Sequence, residues 1–202
     1  MKVDSIKRRC VCLKQTVTGL SLLVMTATTG VANESATPDR IPVCFDFSCK
    51  TRVTVSLNDK DWQGVYKIFE NSESALQERD NIKQAIAVME HLVGQHTPTY
   101  RDIARNWSEK HQELTALPGQ MDCIDESINT TTYLSLLEQA GWLKFHRVLD
   151  RAYKKSLIDQ HWAAEVVDMQ SGQHYVIDSW FADNGEVPIL VKSERWYKLS
   201  WF

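Results

Sequence analysis

The sequence predicts an α+β fold, with N-terminal helices packed on an antiparallel sheet. Three observations predict it. Apolar residues recur at helical spacing through the first two thirds of the chain, from Trp62 to Leu137. After Gly141 the pattern changes to alternation, in residues 143–149, 161–167 and 174–180. Helices first and strands afterwards is the order of an α+β domain, because a parallel α/β sheet interleaves the two. With 202 residues, 43% of them hydrophobic, the chain is long enough to bury one core, and no linker divides it.

The N-terminus stands apart from that core. Lys2, Lys7, Arg8, Arg9 and Lys14 form a basic segment, followed by an uncharged stretch from Gln15 to Asn33 centred on Leu20, Leu22, Leu23, Val24 and Met25. Gly30 and Ala32 place small residues where a signal peptidase cuts. Residues 1–32 therefore read as a secretory signal peptide, and 33–202 as a single domain that is periplasmic or secreted from a bacterium. The apolar centre is short and rich in threonine, which disfavours a stable membrane span. Cleavage would leave 18 basic against 25 acidic residues, moving the net charge from −3 to near −7. Such an excess argues against nucleic acid as a partner and against a basic membrane-binding surface. Cleavage would also remove Cys10 and Cys12 and leave Cys44, Cys49 and Cys123. In an oxidising compartment Cys44 and Cys49 are close enough to pair around a small loop, and their spacing is not the redox-active Cys-x-x-Cys. Cys123 is then odd, and an unpaired thiol is a liability there unless it is buried or used.

Taken in order, Asn33 to Pro42 is polar and reads as a loose start to the domain. Residues 52–57 alternate with β-branched side chains and read as a short strand. Asn58 or Asp59 then caps a helix carrying Trp62, Val65, Tyr66 and Phe69 at i, i+3, i+4 and i+7. A second helix runs from about Ser72 to Gly94. Its apolar side is Ala75, Ile82, Ala85, Ile86, Met89 and Val93; Glu73, Glu78, Arg79, Asp80 and Lys83 form its expected solvated face. Thr97-Pro98 breaks the chain, and residues 99–110 are expected to form a further helix. A Pro118-Gly119 turn leads to the next helix, with Asp122 as N-cap, Asp125 and Glu126 in the first turn, and Ile124, Ile128, Thr131, Leu134 and Leu137 as the apolar stripe. Ser171-Gly172 is a hairpin turn and Asp183-Asn184-Gly185 another. Residues 189–191 and 196–199 read as short edge strands.

Cys123 opens that last helix, where unpaired backbone N–H groups and the positive dipole end favour a thiolate, the nucleophilic form of cysteine. A cysteine nucleophile needs a base, and the base needs a group that fixes its tautomer. His161 opens the strand that hairpins to the strand bearing Asp178. If the hairpin loop has an even number of residues, the two side chains share a face, and Ser171-Gly172 favours the even case. Cys123, His161 and Asp178 are therefore the candidate triad. Taken singly, each has a plainer reading, as a core cysteine, a half-buried strand histidine and a turn aspartate.

Asp122-Cys123-Ile124-Asp125 resembles the Asp-Cys-x-Asp signature of bacterial transglutaminase-like cysteine proteinases. Asp178-Ser179-Trp180 resembles the Asn-Ser-Trp triplet of papain-like peptidases, where the tryptophan covers the third triad residue. The resemblance runs from Gly119 to Trp180; the region from Cys44 to Lys110 matches no named motif. It implies a papain/transglutaminase-like core with the nucleophile at a helix N-terminus, followed by His and Asp on neighbouring strands. It also implies thiol-dependent acyl transfer on a peptide or protein, cell-wall peptide included, by hydrolysis or transamidation. Two departures accompany it. Some periplasmic members bind calcium through carboxylates flanking the nucleophile, but Ile124 follows Cys123 here. Helix capping and the dipole already account for Asp125 and Glu126, so no metal and no cofactor are expected. Papain-like enzymes supply an oxyanion donor from a glutamine several residues before the cysteine; Gln120 is the oxyanion candidate here, although it stands closer. The competing class is a non-catalytic periplasmic peptide- or protein-binding module on the same fold, with Trp62, Trp107, Trp162 and Trp180 along a groove.

Overall fold

The computed structural model describes residues 40–106, 117–155 and 160–199. The expected signal peptide at 1–32 lies outside the described residues, as do Trp107 and His111. Helices pack against a five-stranded antiparallel sheet, as the order of periodicities implies. A two-stranded hairpin of β1 (Ile41–Phe45) and β2 (Thr51–Val55) comes first, with Val43 opposite Val53. Then follow α1 (Asp59–Phe69), α2 (Ala75–Gly94) and α3 (Cys123–Gln139). The sheet comprises β3 (His146–Val148), β4 (Ala152–Lys155), β5 (Gln160–Asp168), β6 (His174–Asp178) and β7 (Ile189–Lys192). Its order is β3-β5-β6-β7, and β4 pairs with β5 beyond the end of β3. A short helix, α4 (Ser193–Lys198), closes the described chain. Among the described residues no helix is long and apolar enough to cross a membrane.

Local chemistry sets the helix starts. Asn58 accepts from the Asp61 N–H at 3.1 Å while Asp61 accepts from the Asn58 N–H at 3.3 Å, a reciprocal capping box. Ser74 caps α2 through the Gln77 N–H. The core joins Trp62, Val65 and Phe69 of α1, Ile82, Ile86 and Met89 of α2, Leu134 and Leu137 of α3, and Ala164, Val166 and Ile177 of the sheet. Each large side chain buried there contributes about 1.5–3 kcal/mol.

The β5–β6 hairpin fixes the most consequential register. Val167 lies opposite His174 and Ala164 opposite Ile177, so the intervening loop, residues 168–173, is even in number. Asp168 shapes the turn by accepting from the Gln170 and Ser171 N–H groups, each at 3.0 Å, and Gly172 supplies a φ of 68°. Continued by one pair, that register puts Asp178 across from Ala163, on the side of β5 that carries His161.

Several elements depart from the sequence reading. The polar stretch Asn33 to Pro42, expected to be loose, ends inside β1: Pro42 stays exposed in a two-stranded hairpin, while Ile41 and Val43 are buried. Of the helix expected over residues 99–110, the described part to residue 106 holds one 3₁₀ turn, Pro98–Arg101, and residues 107–110 lie outside the described residues. The 3₁₀ turn stops because Asp102 turns extended and spends its carboxylate on the Met121 N–H, and Arg105 follows with a φ of 58°. Residues 196–199 are not an edge strand: Trp196 sits in α4, fully buried under β6. Glu78 belongs to no solvated face, being fully buried. In α3 the stripe is right only in its second half. Ile124, Ile128 and Thr131 are half-exposed, and Asp125, Glu126, Asn129 and Thr130 are buried instead. Polar partners explain this: Asn129 exchanges hydrogen bonds with the Cys44 backbone, both at 2.8 Å, and Thr130 bonds Ser179 at 2.9 Å.

Candidate active site

The nucleophile helix is anchored by the loop before it and by a disulfide loop from the N-terminal hairpin. Asp122 caps α3, its Oδ1 accepting from the Ile124 and Asp125 N–H groups at 2.9 and 3.0 Å. Cys44 and Cys49 are bonded, and Asp46, Phe47, Ser48 and Cys49 between β1 and β2 all have left-handed φ, from 54° to 66°. L-residues rarely adopt that conformation, and a run of them turns successive backbone N–H groups outward on one side. Here those donors meet the helix start. The Ser48 N–H reaches Asp122 Oδ2 at 2.9 Å, and the Cys49 N–H reaches Asp125 Oδ1. Asp125 Oδ2 accepts from the Asp122 N–H at 3.3 Å. Each of the four oxygens of Asp122 and Asp125 therefore already takes a protein donor. Those N–H donors account for both carboxylates without a metal ion.

Across from this helix start, His161 Nε2 and Asp178 Oδ2 are 2.7 Å apart, both buried. Asp178 Oδ2 also accepts from Trp196 Nε1 at 2.8 Å. The imidazole is boxed by aromatic rings: Trp180 at 5.0 Å, Trp196 at 5.6 Å and Phe181 at 5.9 Å between centroids. Trp180 thus packs on the histidine, and Trp196, which the sequence pattern did not suggest, holds the carboxylate. Cys123 is half-exposed, with its sulfur 4.0 Å from the carbonyl oxygen of Gln160, the residue before His161. The fold thus brings the start of α3 to the start of β5.

Gln120 lies in the same neighbourhood but is buried, its Nε2 donating to the Arg101 carbonyl at 2.7 Å and its Oε1 accepting from Asn106. The Asp46 N–H holds its backbone carbonyl at 2.8 Å. Arg151 also approaches: it donates to Ser127 Oγ at 3.0 Å and lies 4.7 Å above the Trp162 ring. Its pKa is lowered by burial and raised by the Cys123 charge.

Behind the helix start is a cluster of buried acids. Burial, with Asp102 nearby, pushes Glu90 up to about 8. Burial also lifts Asp102 to about 7, and Glu126 well above its usual range with Glu90 and Asp102 adding to it. Asp125 rises to about 7 through burial and the Asp122 charge. The signal the sequence offered for Glu90 and Asp102 was faint: acids on or beside an otherwise ordinary helix. An open groove elsewhere, lined by Glu165, His174, Lys192 and Tyr197 among others, includes none of the predicted site residues.

Comparison with protein-family models, with curated proteins and with solved structures finds no match. Function is therefore argued from the site itself.

Proposed function

We propose that the protein is an exported, thiol-dependent acyl-transfer enzyme on a papain/transglutaminase-like core, acting as a cysteine peptidase or amide hydrolase. The observation that carries this reading is the buried His161–Asp178 bond beside the strand start whose Gln160 carbonyl touches the Cys123 sulfur. A carboxylate acceptor fixes the tautomer with hydrogen on Nε2, which makes Nδ1 the basic nitrogen. In this mechanism Nδ1 takes the Cys123 proton and Asp178 stabilises the imidazolium. The thiolate adds to an amide carbonyl carbon, forming the S–C bond and sending the C=O π electrons to oxygen. The Cys123 backbone N–H holds that oxyanion, with Gln120 as the second candidate donor. Collapse restores the carbonyl and breaks the C–N bond, and the imidazolium protonates the departing amine. Water, deprotonated by Nδ1, then cleaves the thioester, and the proton returns to the thiol. An amine in place of water would give transamidation; hydrolysis is the simpler outcome in an aqueous compartment.

Iodoacetamide labelling tests the reading. At pH 6 Cys123 should react at least about tenfold faster than free cysteine, whose pKa near 8.5 leaves it almost wholly protonated. His161→Ala should remove that advantage. A Cys123 no faster than a free thiol and indifferent to His161→Ala would leave the protein as a binding module.

A further inference from the structure

We infer that Arg151 is an anion-recognition residue of the proposed active site, selecting substrates that carry a carboxylate beside the carbonyl attacked by Cys123. The inference rests on the acyl-transfer reading and adds a substrate class to it. Its first support is position. Ser127, which Arg151 bonds at 3.0 Å, stands four residues after Cys123, one turn along the same face of α3. The guanidinium is thereby held about one helical turn from the thiol. Its other flank lies 4.7 Å over Trp162, the neighbour of His161 in β5, and the Trp162 ring in turn lies tilted against Tyr153, 4.4 Å between centroids. Arg151 is thus fixed between a hydroxyl and an indole while remaining half-exposed.

The second support is charge. Among the described residues no carboxylate lies within ion-pair distance of Arg151. Arg79 shows the contrast, spending its NH1 on Asp168 at 3.3 Å and His146 at 3.2 Å. A guanidinium carries five N–H donors in a planar fork that fits a carboxylate, and a preorganised one loses little entropy on binding. Nearby, the Arg105 guanidinium lies 5.1 Å over Phe181, whose ring is 5.9 Å from that of His161. A second cation on an aromatic platform near the base suits the same class of substrate.

The test compares alkylation of Cys123 by iodoacetate and by iodoacetamide. In both the thiolate forms an S–C bond and expels iodide, so their rate ratio, normalised to free cysteine, cancels any change in thiol nucleophilicity. The wild-type ratio should favour iodoacetate by about tenfold, Arg151→Gln should return it to that of free cysteine, and Arg151→Lys should retain part of it. N-acetylglutamine and glutamate α-amide then identify the source, as competitors that slow iodoacetamide. Protection by the first assigns a terminal α-carboxylate, and by the second an acidic side chain. A wild-type ratio equal to that of free cysteine, or one that survives both Arg151→Gln and Arg151→Met in folded protein, overturns the inference. Because it is the ratio that is read, a fast iodoacetamide reaction with an unchanged ratio removes the carboxylate preference and leaves the nucleophile intact. A slow, His161-independent iodoacetamide reaction removes the nucleophile.

Discussion

Among the described residues two histidine–carboxylate pairs are buried, and only one of them belongs to the proposed active site. His146 Nδ1 meets Glu78 Oε1 at 2.9 Å, and His161 Nε2 meets Asp178 Oδ2 at 2.7 Å. The difference lies in what surrounds each bond. Glu78 also accepts from the backbone N–H groups of Lys144, Phe145 and His146, at 2.6, 3.0 and 2.9 Å. Arg79 NH1 stands 3.2 Å from His146 Nε2, so that nitrogen serves as an acceptor and both ring nitrogens are engaged. An imidazole held in this way cannot take a proton from a substrate. It joins the start of β3 to α2. His161 is bonded to the Asp178 carboxylate and packed by rings, at a strand start whose Gln160 carbonyl lies 4.0 Å from a half-exposed thiol. Bond length does not distinguish the two pairs; their surroundings do.

The strongest way to break that comparison is to cut both pairs. Glu78→Ala removes the acceptor of three backbone N–H groups and an imidazole in a dry site, and should cost about 3–5 kcal/mol in urea unfolding. His161→Ala leaves Asp178 with Trp196 and should cost only about 1–2 kcal/mol while removing the fast labelling of Cys123. Equal stability losses would mean that both pairs are structural. Acid sharpens the point. Burial opposes ionisation of Glu78, but the hydrogen bonds from His146 and the three backbone groups outweigh it and hold the carboxyl below its ordinary 4.5. A lowered carboxyl stabilises the fold above about 4.5 and loses that contribution as pH falls through its folded value, so the acid slope should flatten in Glu78→Ala.

These contrasts also show how far the sequence could be read. The order of helices and strands, the Cys44–Cys49 pair, the Asp122 cap and the shared face of His161 and Asp178 all follow from local signals: period, spacing, turn type and parity. Glu78 could not be recognised, because an acid among Glu73, Arg79 and Asp80 has the pattern of a solvated face. Its burial is decided by β3, which begins at residue 146, far along the chain. The same holds for Trp196 and for the polar face of α3, which is complementary to a disulfide loop about eighty residues away. Long-range polar satisfaction leaves no periodic trace.

A smaller effect is expected where a buried carboxyl has few donors. Glu90 Oε2 accepts from the Gly185 N–H at 3.0 Å, while Oε1 is buried with no partner among the described residues. Burial pushes its pKa up to about 8, against an ordinary value of 4.5. The unfolded chain then releases its proton first as pH rises, so this group's contribution is fully present below about 4.5 and is lost progressively toward 8, opposite in slope to Glu78. Glu90→Gln keeps the shape without the charge. It should narrow the fall in melting temperature between pH 5 and pH 8 by roughly 2–4 °C. An unchanged fall would place the pH dependence on Asp102 or Glu126 instead.

The smallest effect belongs to a third histidine–carboxylate pair, and it separates geometry from environment. His174 Nδ1 lies 3.1 Å from Glu165 Oε1, close to the 2.9 Å of the His146 pair, yet His174 is about half exposed. Water can replace either partner, and Glu165 keeps Ser193 Oγ at 2.7 Å. His174→Ala should therefore shift unfolding by no more than about 0.5 kcal/mol and leave the Cys123 labelling rate unchanged. A loss approaching that of Glu78→Ala would show that hydrogen-bond length, and not the dry and fully bonded setting, governs the strength of such pairs here.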